Sequence, residues 1–398
     1  MQETVIKRVS LRKQSDVQTQ IPNPQSHIAN PLTWLGAKSP FGIALPDAKP
    51  SASQLYAPRG VFFNDDYLVA ADSGNHRVLI WKGIPENDQT PADIVLGQPD
   101  FETEGARANG TSAERGLHLP TGVKIIENKL FVADSWHHRI LVWNEIPTEN
   151  FQKPDYAIGQ ANLTEITENR GNGKCSADSL YWAYGFNYIN GIFYIADTGN
   201  RRVLGFYGIP EANQPADFVI GQDDFETNLE NRGLEQKADA KSFRWIHDIA
   251  GNEEIVYFAD AGNHRVLGWN GKLESDRNAE IVLGQEDFTK NGEFPYIKQG
   301  ASRLRFPYAV SVDENVLAVA DTANNRVLFW DGLPKNGTYR SADSVVGQIS
   351  FDENGENRWK LVDRDTLCWV YGIHLYKNKL AVADSGNNRV TIWEIKRN

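Results

Sequence analysis

Phenol, imidazole and guanidinium side chains stand at two fixed distances before six regularly spaced aspartates. Thirteen residues before these aspartates lies column A, which comprises Arg59, Thr121, Tyr184, His247, Tyr308 and Tyr371. Sixteen residues before them lies column B, which comprises Tyr56, His118, Tyr181, Arg244, Arg305 and Cys368. Such groups carry protons and bind carboxylates, so the two columns could form a site for a small molecule.

Column A could act in acid–base chemistry. A nearby guanidinium favours the phenolate form and lowers the pKa of a tyrosine, and His247 would be a second proton carrier. Adjacent strand residues point to opposite faces, so we do not expect Asp248 to orient His247. The candidate catalytic residues are Tyr184, His247, Tyr308 and Tyr371. The candidate ligand-binding residues are Tyr56, Arg59, His118, Tyr181, Arg244, Asp248, Arg305 and Cys368.

Asp248 belongs to a third set, column C, twelve residues before the aspartates. Its other members are Gly60, Gly122, Gly185, Ala309 and Gly372. The small residues indicate close packing of six innermost strands around an axis, and Asp248 departs from that pattern. Cys368 could serve as a nucleophile, but the sequence assigns it no partner base.

The six aspartates open a pattern that first reads ADSGNHRVLIW, from Ala71 to Trp81. They are Asp72, Asp134, Asp197, Asp260, Asp321 and Asp384, spaced by 62, 63, 63, 61 and 63 residues. A fixed period with six copies indicates a repeat architecture. An arginine follows each aspartate by five residues. Six identical Asp–Arg pairs are typical of a scaffold. The residue before each arginine is His, Arg or Asn, which predicts a solvated turn position.

Each repeat contains four short runs rich in β-forming residues, separated by turn signals. In the second repeat they span 122–126, 129–133, 139–143 and 155–159. Four strands in each of six repeats predict an all-β, six-bladed β-propeller. The fourth run ends in Gly-Gln in only five repeats, because the chain stops soon after its last third strand. We expect residues 33–36 near the N-terminus to supply the missing strand and close the ring, which avoids an open sheet edge.

The six D-x-x-x-x-R-[VI] hairpins resemble NHL repeats, as found in six-bladed NHL propellers, over roughly residues 32 to 395. Two further expectations follow from that resemblance. His247-Asp248-Ile249 is similar to a segment of peptidyl-hydroxyglycine amidating lyases, whose zinc is held by histidines at the channel mouth. Column A offers only His247, so no metal is predicted. Other NHL propellers bind single-stranded RNA, which the acidity of this chain disfavours.

Composition limits the remaining function classes. The net charge of −11 disfavours nucleic acid and other polyanions as partners. Two distant cysteines predict free thiols, and the N-terminus lacks a signal-peptide core, so we expect a cytoplasmic protein. No run of eighteen apolar residues is present, so no membrane span is predicted. No phosphate loop, dinucleotide fingerprint or nucleophile elbow occurs, and no cofactor is predicted.

The sequence thus predicts an N-terminal arm over residues 1–31 and a propeller over 32–398. Strand one begins at the end where strand four leaves, and the Asp–Arg hairpins turn at that same end. Columns A and B therefore surround one mouth of the central channel. We expect a small-molecule binding or catalytic pocket there, the type of concave site that ligands occupy. The alternative is a protein–protein interaction scaffold, in which the same side chains plug the channel or contact a protein partner.

Overall fold

The computed structural model describes residues 28–36, 49–233 and 237–396. Six antiparallel sheets form the blades of a ring, and strands follow one another from the axis outward. The innermost strands are β2 (Gly60–Phe63), β6 (Val123–Ile126), β10 (Ala183–Ile189), β14 (Ile246–Gly251), β18 (Pro307–Asp313) and β23 (Val370–Tyr376). The second strands, which end in the repeat aspartate, are β3 (Tyr67–Asp72), β7 (Lys129–Asp134), β11 (Ile192–Asp197), β15 (Ile255–Asp260), β19 (Val316–Asp321) and β24 (Lys379–Asp384).

The third strands begin with the repeat arginine. They are β4 (Arg77–Lys82), β8 (Arg139–Trp143), β12 (Arg202–Tyr207), β16 (Arg265–Asn270), β20 (Arg326–Asp331) and β25 (Arg389–Ile395). The outermost strands are short: β5 (Ile94–Leu96), β9 (Tyr156–Ile158), β13 (Phe218–Ile220), β17 (Ile281–Leu283) and β22 (Ser344–Val346). A two-residue strand, β21 (Gly337–Thr338), adds to β17 in parallel.

Helical structure is confined to single turns. A 3₁₀ turn links the second and third strands of every blade: Ser73–Asn75, Ser135–His137, Thr198–Asn200, Ala261–Asn263, Thr322–Asn324 and Ser385–Asn387. The long links between blades contain 3₁₀ turns at Glu168–Gly171, Glu230–Gly233 and Glu356–Trp359, and the short segment α1 (Ala106–Gly110). The predicted all-β, six-bladed propeller is confirmed.

The N-terminal strand β1 (Ile28–Leu35) closes the ring as the fourth strand of blade 6. It pairs antiparallel with β25, and Leu35 lies opposite Val390. Leu35 is fully buried in an apolar cluster that includes Leu79 of blade 1. Closure by residues 33–36 is therefore confirmed, and pairing extends back to Ile28. Residues 1–27 of the predicted arm lie outside the described residues.

The core lies between neighbouring blades, because both faces of each twisted sheet are covered. Tryptophans near the ends of third strands are its largest apolar members, namely Trp81, Trp143, Trp269 and Trp330. Their indole N–H groups are satisfied by carbonyls of the links that follow, as in the 2.8 Å bond from Trp81 to Thr90. Around the axis, column C has no room for side chains in several blades. A Cβ at Gly60 would lie 1.8 Å from the carbonyl oxygen of Thr121.

Candidate functional site

Six buried Asp–Arg pairs hold the start of every innermost strand. In blade 4 the Oδ1 of Asp260 accepts the backbone N–H of Arg244 at 3.0 Å, and its Oδ2 accepts Nε of Arg265 at 2.8 Å. Arg265 also donates to the carbonyls of Phe288 and Ser242, in the links on either side of the blade. Both members of the pair are fully buried. The predicted scaffold role of the repeated pairs is confirmed.

The position before each arginine was predicted to be a solvated turn residue, and that prediction is wrong. In blade 2, Nδ1 of His138 accepts the backbone N–H of Trp182 in the next blade at 3.0 Å. In blade 5, Oδ1 of Asn325 accepts the N–H of Trp369 at 2.8 Å. His and Asn both offer an acceptor at this point, and the slot therefore caps the strand entry of the following blade. Arg201, its counterpart in blade 3, has no acceptor.

The backbone at the entry to the innermost strand of blade 4 positions His247. The carbonyl of Trp245 accepts the N–H of Ala261 at 2.9 Å and also lies 3.0 Å from Nδ1 of His247. A carbonyl can only accept, so Nδ1 carries the proton and Nε2 of the neutral ring is an acceptor. Asp248 makes no hydrogen bond to this ring within the described chain, in line with the prediction that it does not orient His247.

A β-bulge brings columns A and C into one cavity. In blade 4, Ile246 pairs with Asp260 and Asp248 pairs with Ala259, so His247 is an extra residue on the inner strand. Blades 5 and 6 show the same shift. A regular strand would send neighbouring side chains to opposite faces, whereas the bulge lets both His247 and Asp248 line the channel. The premise that they face apart is therefore wrong.

The column A side chains form an arc around the channel mouth. The rings of His247 and Tyr308 are stacked, with centroids 4.2 Å apart and planes 6° apart. On one side the ring centroid of Tyr184 lies 4.4 Å from that of His247, and on the other side the ring centroid of Tyr371 lies 4.9 Å from that of Tyr308. The guanidinium of Arg59 lies 4.9 Å over the Tyr371 ring and completes the arc. Five of the six column A residues therefore contact one another in sequence around the channel.

The arc encloses one end of a cavity with a free volume of about 380 Å³, its open end included. All six column A residues line it, together with Asp248 and the deeper Lys124. The part of it that a water-sized sphere can enter is only about 40 Å³, well below the usual range for small-molecule sites. The structure thus brings Tyr184, His247, Tyr308, Tyr371, Arg59 and Asp248 together around one space.

Column B lies outside this cavity, against the hairpin turns. Tyr56 and Tyr181 cover the turn glycines of their own blades and are largely exposed. His118 contacts Trp136 of its hairpin, with ring centroids 5.7 Å apart. Cys368 is buried against its hairpin, and burial raises the pKa of its thiol to about 12. A thiol that stays protonated at neutral pH is a poor nucleophile.

The two column B arginines form ion pairs with the links that precede their blades. Nε of Arg244 lies 3.0 Å from a carboxylate oxygen of Glu230, and Nε of Arg305 lies 2.9 Å from one of Glu293. The backbone N–H groups of column B serve the repeat aspartates, which explains why this column keeps its register while its side chains vary.

Comparison with known proteins supports the repeat assignment. Human NHL repeat-containing protein 2 is 23% identical over 349 residues, which cover 83% of this chain and 45% of that relative. Together with the six four-stranded blades, this match supports an NHL-repeat propeller. The chain spans less than half of the human relative, and no protein-family profile matches it.

Solved propellers resemble this chain only remotely. A structural-genomics protein from Bacteroides thetaiotaomicron gives a TM-score of 0.49 at 12% identity, covering 92% of this chain and 75% of that one. Virginiamycin B lyase from Staphylococcus aureus gives a TM-score of 0.43 at 9% identity, covering 87% of this chain and 97% of that one. The propeller fold supports an interaction or binding scaffold, and the side chains of the channel mouth decide what it could bind.

Burial controls the protonation of the cavity side chains. It lowers the pKa of His247 to about 4, with a smaller contribution from the positive charge of Arg59. It raises the pKa of Tyr308 to about 12 and that of Tyr184 still further. Arg59 opposes the rise at both tyrosines, as expected from the sequence, but desolvation outweighs it. At neutral pH these groups are neutral hydrogen-bonding partners.

Two cavity groups are left without the partners that such groups usually have. The buried hydroxyl of Tyr184 lies beside the Arg59 guanidinium, which is within reach of a hydrogen bond to it but not at the geometry of a well-formed one. No carboxylate lies within ion-pair distance of Arg59 in the described parts of the chain. A buried hydroxyl without a partner costs about 1–3 kcal/mol, so the cavity is incomplete as it stands.

Lys124 is a functional candidate that the sequence interpretation missed. It lies ten residues before the repeat aspartate, where the other blades carry Phe62, Asn187, Ala250, Ser311 and His374. Lys124 is the one lysine in this set, which distinguishes blade 2 in the sequence. The set lies further along the innermost strands than columns A, B and C. Burial lowers the pKa of Lys124 and raises that of Asp248, and each charge partly offsets the effect on the other.

Metal and membrane features are absent from the described residues. No three His, Cys, Asp or Glu side chains there converge on a point that could hold a metal ion. Cys175 and Cys368 are both buried and unpaired. None of the helices in residues 28–36, 49–233 and 237–396 has the length and apolar character needed to cross a membrane.

Proposed function

We propose that this NHL propeller binds a small molecule with a carboxylate or similar oxygen-rich group in the cavity at the channel mouth. The observation that carries the proposal is the buried hydroxyl of Tyr184, which has no well-formed hydrogen bond in the described residues and lies beside an Arg59 without a carboxylate partner there. A carboxylate placed between them would accept from both and remove the cost of the unpaired hydroxyl.

The protonation states favour binding over acid–base catalysis. With its pKa near 4, His247 is neutral and offers Nε2 as an acceptor, while Tyr308, with a pKa near 12, remains a donor. A general acid or base works best with a pKa near the operating pH, and both groups are several pH units away. We therefore assign Tyr184, His247, Tyr308 and Tyr371 to ligand recognition.

The test uses hexanoate, a single carboxylate on a short apolar chain, as the probe in isothermal titration calorimetry. Arg59→Met should weaken hexanoate binding about tenfold or more, because a charge-assisted hydrogen bond contributes about 1.5–3 kcal/mol. Tyr184→Phe should weaken it less. The matched controls are Arg305→Met and Tyr181→Phe, which change the same residue types in column B and should bind normally. Equal losses in both columns would contradict the proposal.

A protein-binding role is the second candidate, favoured by exposed apolar side chains on the face that carries the links. Trp359 is 80% exposed, Leu361 is 65% exposed and Trp369 is 41% exposed, all at the entry to blade 6. Large exposed apolar groups on one face mark interaction sites. The link over residues 349–367 carries five carboxylates and three cationic side chains, so the partner would be a basic polypeptide segment.

A synthetic peptide of alternating lysine and leucine tests this second role. We expect it to bind the wild-type protein and to lose affinity for the double variant Trp359→Ser, Leu361→Ser. Tyr207→Ser changes an exposed aromatic residue outside the links and is the control. Unchanged binding by the double variant would exclude this face as the docking site for such a peptide.

A further inference from the structure

A lysine without an ionic partner lies inside the channel, beyond the aromatic arc. Lys124 lines the same cavity as Arg59, and the two are the only lysine or arginine residues that do so in the described chain. Lys124 forms no hydrogen bond and no ion pair within 4 Å of its nitrogen among the described residues, unlike the arginines of the six hairpins. Its side chain is partly buried, and no carboxylate of the described residues lies within ion-pair distance of the ammonium.

Asp248 is the nearest candidate counterion, and its carboxylate is already engaged. Its Oδ2 accepts the backbone N–H of Val310 at 3.1 Å. Its other oxygen lies at the inner wall, where a Cβ on Gly185 would be 2.8 Å away. Asp248 acts on Lys124 only through space. A partly buried ammonium without a paired carboxylate gains from an anion placed beside it, so the position is suited to an incoming anion.

The histidines in and near the cavity add no charge at neutral pH. Burial lowers the pKa of His374 to about 3, and the neighbouring Lys124 contributes to that shift. His247 is neutral for the same reason. The cavity therefore contains two cations, Arg59 and Lys124, against the single carboxylate of Asp248. This charge excess favours a ligand that carries more than one negative charge.

We propose that Lys124 forms an inner anion-binding site, and that the ligand of this propeller is a small dianion, such as a dicarboxylate, held by Arg59 at one end and Lys124 at the other. The inference rests on the proposed mouth site and specifies its ligand class. Lys124 lies three strand residues beyond column A, which corresponds to about 10 Å of backbone. The long side chains of Arg59 and Lys124 shorten the distance between their charged groups. A chain of about six carbons is the appropriate probe length.

Adipate and hexanoate are the probes, because they share a six-carbon chain and differ by one carboxylate. For the wild-type protein we expect adipate to bind about tenfold to a hundredfold more tightly than hexanoate in calorimetry. Lys124→Met should abolish that preference, by weakening adipate binding much more than hexanoate binding. Lys129→Met, which removes an exposed charge from the same blade, should retain the preference. Lys124→Arg keeps the charge and should retain part of it.

Proton uptake provides a second readout. Because burial lowers the pKa of Lys124, an anion that stabilises the ammonium should draw a proton from the buffer at mildly alkaline pH. Titrations in HEPES and in Tris, which differ in ionisation enthalpy, measure that uptake. His247 and Asp248 line the same cavity and Lys124 acts electrostatically on His374, so loss of the uptake in Lys124→Met is what assigns the proton to the lysine.

The outcomes separate the two proposals. If adipate binds no more tightly than hexanoate, or if Lys124→Met and Lys129→Met reduce adipate affinity equally, the inner anion site is wrong. If hexanoate still depends on Arg59 in that case, the mouth site remains valid. If neither acid binds the wild-type protein, both proposals fail. Melting temperatures show whether each variant is folded, and a folded Lys124→Met with unchanged adipate affinity overturns the inference directly.

Discussion

The hairpin network and the channel cavity use the same residue types in opposite ways. In the hairpins Arg265 donates to Asp260 and to two link carbonyls, and both partners are fully buried. In the cavity Arg59 has no carboxylate partner within the described residues, and the hydroxyl of Tyr184 forms no well-formed hydrogen bond there. Repeated and saturated polar groups build the ring, whereas unrepeated and unsaturated ones are available to a ligand.

The largest expected effect concerns the buried Asp–Arg pairs of the hairpins. Arg265→Met should lower the free energy of unfolding by about 3–5 kcal/mol, because it leaves Asp260 buried without its ion pair. Arg277→Met is the control, since its pair with Glu280 is more than one-third exposed and should contribute about 0–1 kcal/mol. Urea denaturation measures both. Similar losses would show that burial does not distinguish the hairpin pairs.

The next effect concerns the histidine caps between blades. His138→Ala removes the acceptor of the Trp182 N–H and should cost about 1–2 kcal/mol at pH 7.5. His138→Asn should retain most of the stability, because Asn325 already performs this role in blade 5. Thermal melts of the two variants decide the matter. An asparagine variant as unstable as the alanine variant would show that packing of the imidazole, and not its hydrogen bond to Trp182, stabilises the protein.

The same cap predicts a pH dependence. Burial lowers the pKa of His138 to about 4 in the folded protein, from 6.5, despite the nearby carboxylate of Glu168. Between these values the unfolded chain binds more protons, so the stabilisation is complete above pH 6.5 and is lost as the pH falls towards 4. His138→Asn should lose less stability than wild type between pH 6.5 and 4.5 in urea titrations. A parallel decline would contradict the assigned shift.

The fold could be predicted because its signals are local and repeated. The six Asp–Arg hairpins define the blades, and the missing sixth Gly-Gln indicates that a strand must come from elsewhere, which Leu35 and its neighbours provide. The cap at His138 could not be predicted in this way. Its partner Trp182 lies 44 residues away in the next blade, and no pattern within one repeat records that contact.

The smallest expected effect compares two buried phenols. Tyr194 donates to the carbonyl of Leu273 at 2.8 Å, so Tyr194→Phe should cost about 1 kcal/mol. Tyr184→Phe removes a hydroxyl that has no such bond and should leave the free energy of unfolding unchanged or slightly higher. Denaturant titrations resolve the difference. A greater loss for Tyr184→Phe would mean that its hydroxyl is part of the scaffold.

The site was predictable only in part, for a reason that the bulge makes clear. Period-two alternation placed His247 and Asp248 on opposite faces, but the extra residue in blade 4 brings both to the cavity. Arg305 of column B was expected beside them, yet its pair with Glu293 holds it over the link. Lys124 could not be predicted as a site residue, because its position along the channel depends on how the innermost strands of different blades align.

A crystal structure of the protein with adipate tests the central claim most directly. We predict density in the channel that contacts the Tyr184 hydroxyl and the Arg59 guanidinium at one end and the Lys124 ammonium at the other. Water alone in the cavity at saturating adipate, with the Tyr184 hydroxyl bonded to a neighbouring side chain, would contradict the account. The mouth would then be a structural plug.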